Sequence, residues 1–161
     1  MALKSVQVAI MMGSKTDLPT MEEAAAILKE FGVAYDIRVL SAHRTPKECC
    51  AYAEGFRKKG GKIFICGAGV SAALSGVVAA HTTLPVIGVP LNASSLGGFD
   101  ALLSTVQMPP GVPVACMAIG ASGAKNAALM ALRILSLSDK SIESKLDKFR
   151  EDQRQKILKG N

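Results

Sequence analysis

The sequence predicts an α/β fold, a parallel β-sheet with helices on both faces. Three observations carry this. Short apolar runs alternate with helical patterns five times along the chain. The runs are apolar on both faces, as strands between two helical layers must be. The core builders are small, because 49% of the 161 residues are apolar but only 4% aromatic, with no Trp. That length suits one ordinary domain with a well-buried core. No repeat, low-complexity tract or linker interrupts it, so residues 1–161 read as a single domain.

Each element has its own reason. Residues 6–11 (VQVAIM) form the first strand, which ends in Met12-Gly13-Ser14-Lys15-Thr16-Asp17. Gly13 permits close backbone approach to a ligand, and Ser14 offers a hydroxyl. Pro19 opens a helix over 19–31 with Met21, Ala24, Ala25 and Leu28 on one face, and Gly32 caps it. Ser14 and Asp17 are equally suited to turn and cap duty. The second strand spans 35–40, and the helix after it spans 46–59, stopped by Gly60-Gly61. The third strand, 62–66, runs into a glycine turn at Gly67-Ala68-Gly69, and a small-residue helix follows to His81. The fourth strand is 85–90, followed by a polar loop over 91–98 and a helix over 99–106. The fifth strand is 114–118, and its helix runs over 124–137. The tail, 139–159, holds seven basic and five acidic residues around a narrow stripe of Ile142, Leu146, Phe149 and Ile157. A helix this polar needs something to lie on, its own domain or a neighbouring subunit. Because it follows a complete five-strand unit, the neighbour is the favoured surface.

Composition narrows the function classes. The net charge of +6 comes without a basic block and with almost no aromatics to stack bases, so nucleic acid is not the expected partner. A positive field that attracts a phosphorylated small molecule fits as well. The apolar stretches fall short of the roughly 20 residues of a membrane span. Met1-Ala2-Leu3-Lys4 has no signal-peptide layout, so a cytoplasmic protein is expected. Cys49, Cys50, Cys66 and Cys116 make no C-x-x-C pair, which favours reduced, mostly buried thiols over metal or disulfide use. A cysteine nucleophile beside His43 or His81 is the minor alternative.

The densest chemistry lies in Ser41-Ala42-His43-Arg44-Thr45-Pro46, between a strand and a helix that Pro46 can open. Open α/β sheets bind ligands at such turns. Arg44 can grip a phosphate with two bonds, and His43 can carry a proton near neutral pH. The other glycine turn, Gly67-Ala68-Gly69-x-x-Ala72, matches a dinucleotide motif in form. It sits on the third strand, however, and the next acidic residue is Asp100, too far to hold a ribose. Some other ligand suits that turn better.

Taken together, Met12-Gly13-Ser14-x-x-Asp17, Ser41-Ala42-His43-Arg44-Thr45-Pro46, Gly67-Ala68-Gly69 and Ser104-x-x-Gln107-Met108-Pro109-x-Gly111-x-Pro113 resemble the PurE family of purine biosynthesis. The match runs in order through almost the whole chain. The resemblance implies a three-layer α/β/α, flavodoxin-like sheet in a homo-octamer with sites at subunit contacts. It implies a mutase that moves a carboxylate from the exocyclic nitrogen of an aminoimidazole ribonucleotide to ring carbon C4. No metal and no organic cofactor are implied. His43 would carry the proton, Ser14 and Asp17 would bind the ribose phosphate end, and Ser41 and Arg44 would hold the phosphate. Gly67, Ala68 and Gly69 would wall the pocket, and Gly13 would let the backbone approach the substrate. One departure stands out. Where the bacterial mutase pattern has a second histidine, this chain has Ala73, and Ala73-Leu74-Ser75-Gly76 resembles related carboxylases that use carbon dioxide directly. Arg44 and Gln107-Met108-Pro109 side with the mutases. Two other classes share the sheet, a flavodoxin-like binding module and an NAD-dependent oxidoreductase. The first would not need the His-Arg turn, and the second would need the glycine turn to bind NAD.

Overall fold

The computed structural model describes residues 5–160. Met1-Ala2-Leu3-Lys4, read above for a targeting signal, lies outside them. Five strands form one parallel sheet: β1 (Val8–Met12), β2 (Tyr35–Val39), β3 (Ile63–Gly69), β4 (Val86–Leu91) and β5 (Ala115–Cys116), in the spatial order β2-β1-β3-β4-β5. Six helices accompany it: α1 (Leu18–Phe31), α2 (Pro46–Phe56), α3 (Leu74–Ala80), α4 (Phe99–Val106), α5 (Ala121–Ser136) and α6 (Lys140–Lys159). The α/β expectation holds, and the strand order is that of a flavodoxin-like sheet. No described helix is long and apolar enough to cross a membrane.

The period of two along the strands sorts side chains onto two cores. Val8, Ile10 and Met12 of β1 face α1 and α5, while Ala9 and Met11 face α2 and α3. On the first side Ala24 and Ala25 of α1 and Ala127, Ala128 and Ala131 of α5 are buried together, so the helices lie close on the sheet. On the second side the Phe56 and Phe64 rings are 4.8 Å apart and Tyr52 stacks on Phe56. Tyr52 also donates to Asp36 Oδ2 at 2.9 Å, and Asp36 pairs with Arg38 at 2.8 Å, which braces the exposed edge strand against α2.

Most boundaries fall within a residue or two of the expected ones. Three differences have clear causes. Strand β3 extends to Gly69, because Ala68 and Gly69 pair with Pro90 and Leu91 of β4 instead of turning at once. Strand β5 shrinks to Ala115–Cys116, since it is an edge strand with a partner on one side only. Helix α5 begins at Ala121, ahead of the expected 124, after Gly120 at φ 74°.

The tail stripe divides. Ile142 and Leu146 are buried in the chain's own core, and Phe149 packs edge-on to Phe31 with ring centroids 5.9 Å apart. Lys145 Nζ donates to the Phe31 carbonyl at 2.7 Å, which fastens the same turn to the end of α1. The proximal half of α6 thus lies on its own domain. The expectation of packing on a neighbour is confined to the distal half, where Ile157 is 70% exposed.

The tightest backbone approach is in the first turn of α5. A Cβ built on Gly123 would collide with the Ala118 carbonyl, a backbone atom that cannot swing away. Gly123→Ala should therefore lower the melting temperature by roughly 5 °C or more, the scale of an overpacked core in a domain this size. A thermal unfolding curve matching the parent's would show that α5 can shift to accept a methyl.

Candidate active site

The chain crosses from one half of the sheet to the other between β1 and β3. Ligands bind at this switch point in open α/β sheets, outside the carboxyl ends of the strands. A cleft of about 450 Å³ lies there. The loops after β1, β2 and β3 build it, and Ala93 from the loop after β4 completes it. Gly13, Ser14, Asp17, Ser41, His43, Arg44, Ala68 and Gly69 all reach the lining.

Gly67 does not. It is buried in the sheet between Met12 and Val89, and a Cβ there would run into the Met21 thioether. Its missing side chain makes room for Met21 behind the cleft, and the expected wall role falls to Ala68 and Gly69. The lining also includes Thr16, Ala42, Val70, Ser71, Ala73 and Leu74. Val70 adopts φ 56° and is exposed, a strained backbone for a β-branched residue. Its type alone would have predicted extended structure, so no sequence signal marked it. Ala93 sits in the polar loop noted in the sequence, where nothing tied that loop to the site.

The first loop is a capping box around a single 3₁₀ turn, Lys15–Asp17. Ser14 Oγ accepts from the Thr16 amide at 3.3 Å and from the Thr16 hydroxyl at 2.8 Å. Asp17 Oδ2 accepts from the Ser14 amide at 3.1 Å. Asp17 stands at the N-cap of α1 but makes no side-chain cap bond there; its carboxylate closes the capping box on Ser14 instead, and both residues line the cleft. Burial raises the Asp17 pKa above the usual carboxylate value, opposed by the Ser14 amide and the charge of Arg44.

The second loop carries His43 and Arg44, both exposed to the cleft side. Arg44 Nη2 donates to the Gly13 carbonyl at 2.7 Å, bridging the loops after β1 and β2. One bond leaves the rest of the guanidinium's five donors for an anion. Arg44 is the one lysine or arginine in the described lining.

The other reactive groups lie elsewhere. His81 pairs with Glu54 at 2.9 Å in a separate surface depression beside Arg57 and Thr83. Cys49 and Cys66 are buried, and desolvation pushes the Cys49 thiol up to about 11 and Cys66 higher still. All four cysteines are free, and none lines the cleft, so the cysteine-nucleophile alternative has no partner at His43. Among the described residues no group of His, Cys, Asp and Glu is arranged to hold a metal ion.

The AIR carboxylase family model matches residues 7–156. The chain belongs to that family. It is 54% identical over 152 residues to a protein of Saccharolobus solfataricus named N5-carboxyaminoimidazole ribonucleotide mutase, covering 94% of this chain and 95% of that one. A Bacillus subtilis protein of the same name is 51% identical over 154 residues, covering 96% and 95%. Among solved structures, Treponema denticola PurE superposes with a TM-score of 0.87 at 36% identity, covering 95% of this chain and 94% of that one. The PurE resemblance read from the four loops is therefore confirmed at the level of the family.

Asp17 gives a test with a defined sign. A raised carboxyl pKa means that the folded chain binds more protons than the unfolded one in the window between the usual carboxylate value and the raised one. Stability from this group falls as pH rises through that window, and the ionised form carries the cost above it. Asp17→Asn should thus melt no lower than the parent at pH 7, with the difference shrinking at acid pH. Thermal melts across pH check this. A variant less stable at pH 7 would mean that the bond to the Ser14 amide outweighs desolvation.

Proposed function

We propose that this protein converts N5-carboxyaminoimidazole ribonucleotide to 4-carboxy-5-aminoimidazole ribonucleotide, as the mutases it resembles are named for doing. The observation that carries the reading is the placing of His43 and Arg44, an acid–base and an anion clamp, side by side on one turn of a glycine-walled cleft. Arg44 and Ser41 hold the phosphate, and Asp17 takes the sugar hydroxyls. No metal or organic cofactor enters the scheme.

The residues suit the chemistry. The carbamate N–C bond breaks as the exocyclic nitrogen gains a proton, releasing carbon dioxide in the cleft. Ring carbon C4 then attacks carbon dioxide, and the C4 proton leaves to restore aromaticity. One proton is given and one is taken, so a single group serves both halves and the net reaction is an isomerisation. His43 is that group. Carbon dioxide held against Ala68 and Gly69 recombines in an effectively unimolecular step. His43→Asn should keep the fold and nucleotide binding but lose turnover about 100-fold or more. A folded variant with normal turnover would remove His43 from the chemistry.

A second reading has one observation in its favour. Ala73, without a polar side chain, lines the cleft where the mutase pattern has histidine, and Ser71 offers a hydroxyl beside it. Direct carboxylation of aminoimidazole ribonucleotide is the alternative that follows. Labelled bicarbonate separates the two. The mutase reading expects interconversion of the carboxylated nucleotides at low bicarbonate with little label entering product. Label entering as fast as product forms would make the enzyme a carboxylase.

Assembly belongs to the same proposal, with an octamer as the count that the resemblance implies. Phe99, Leu103 and Val106 form an exposed apolar row on α4, and Asp100 Oδ1 is a buried side-chain oxygen with no hydrogen bond among the described residues. A second copy would cover the exposed row. The distal half of α6, with Ile157 and Leu158 exposed, is the part of the tail left to reach it. Removing residues 151–161 should leave the fold intact and reduce the assembled mass, because Ile142 and Leu146 stay in place. Light scattering at matched concentration reads this. An unchanged mass would leave the tail with no role between subunits.

A further inference from the structure

Thr45 is the residue of the His-Arg turn to which no role has so far been given. It is absent from the cleft lining, so it does not meet the ligand. It stands at the N-cap of α2, where a threonine hydroxyl ordinarily accepts from an amide of the first helical turn. Here it makes no such cap bond. The hydroxyl is turned back to the start of the turn instead. Thr45 Oγ1 accepts from the Ser41 amide at 2.8 Å and donates to the Ser41 carbonyl at 3.1 Å. The Thr45 amide donates to the same carbonyl at 2.9 Å.

Residues 41 and 45 are therefore clasped by three hydrogen bonds, two of them from one side chain. His43 is at the middle of the clasped segment, and Arg44 is bonded within it through its amide to Ser41 Oγ at 3.2 Å. The segment is otherwise held at the Gly13 carbonyl by Arg44, the group that an incoming phosphate would engage. The clasp holds the turn independently of that contact.

We infer that Thr45 is a positioning residue whose hydroxyl, by closing the turn on Ser41, fixes the direction in which His43 and Arg44 face the cleft. This rests on the proposed function for its kinetic consequence and on geometry alone for its structural one. The isosteric change Thr45→Val removes both hydroxyl bonds and keeps the shape. Thr45→Ser keeps the hydroxyl and removes the methyl.

Two readouts separate the failure of this inference from the failure of the functional reading. The first is kinetic, on the carboxylated ribonucleotide: kcat/KM should fall about tenfold or more in Thr45→Val, the scale of a misplaced catalytic group, and recover to within about threefold in Thr45→Ser. The second is the imidazole NMR signals of the whole protein. The chain has two histidines, and His81, held by Glu54, is the internal reference. The His43 signal should shift or broaden in Thr45→Val, stay near the parent's in Thr45→Ser, and leave His81 unmoved in both.

A Thr45→Val protein with parental kcat/KM and an unmoved His43 signal would overturn the inference. So would a Thr45→Ser protein as impaired as Thr45→Val, since the methyl would then be what matters. If Thr45→Val does not fold, Thr45→Ala is read in the same way, and failure of both to fold would make the hydroxyl a folding requirement and end the positioning role. If the parent enzyme does not act on the nucleotide, the functional reading fails, and the His43 signal still decides the clasp.

Discussion

The site depends on the register of one strand. Met12 ends β1 opposite Val39 of β2 on one side and Gly67 of β3 on the other. The Leu40 amide donates to the Met12 carbonyl at 2.8 Å, which carries the ladder one residue past β2. The loops after β1 and β2 thereby leave at nearly the same level of the sheet, and β3 runs two residues further before its own loop, beside the point where the connections change sides. A slip of one residue in β1 would exchange the faces it presents to the two cores, sending Val8, Ile10 and Met12 away from α1 and α5. The apolar fit of both cores therefore holds the register, and the register sets the cleft.

On that frame, short polar contacts refine what the sheet has brought together. Ser14 and Asp17 close the first loop, and Arg44 joins it to the second through the Gly13 carbonyl. The lining sets a half-buried carboxylate, Asp17, against one cation, Arg44, and in the proposed reaction these would orient a phosphorylated sugar. The net charge of +6 adds a long-range attraction for such a ligand, weakened by salt. Carbon dioxide in that reaction would need the opposite surroundings, and Ala68, Gly69, Val70 and Ala73 line the cleft with small apolar groups.

Much of this was legible in the sequence, because each strand and its turn announced themselves locally. The run before Met12-Gly13-Ser14 and the run before Ser41-Ala42-His43-Arg44 could be read as strand followed by ligand loop, and the motifs fixed the family. What was not legible depended on partners far along the chain. Gly67 looked like a turn residue until its pairing with Met12 and Val89, and the thioether of Met21 against it, put it inside the sheet. The tail stripe read as a helix packed on a neighbouring subunit because its resting place, Phe31 and the end of α1, lies more than a hundred residues earlier. Val70 is strained by its loop, which its residue type argues against. Thr45 stands at the N-cap of α2 with its hydroxyl turned back to Ser41, an orientation that its residue type does not foretell.

The central claim is that one cleft at the switch point holds the nucleotide with its reacting ring beside His43. A crystal structure of the protein soaked with 4-carboxy-5-aminoimidazole ribonucleotide tests it most directly. The account predicts phosphate on the Arg44 guanidinium, sugar hydroxyls at Asp17, and the carboxylated ring within hydrogen-bond reach of the His43 imidazole, about 3 Å or one bridging water away. Nucleotide bound in the depression beside His81 and Arg57, or seated in the cleft with its ring turned away from His43, would contradict it.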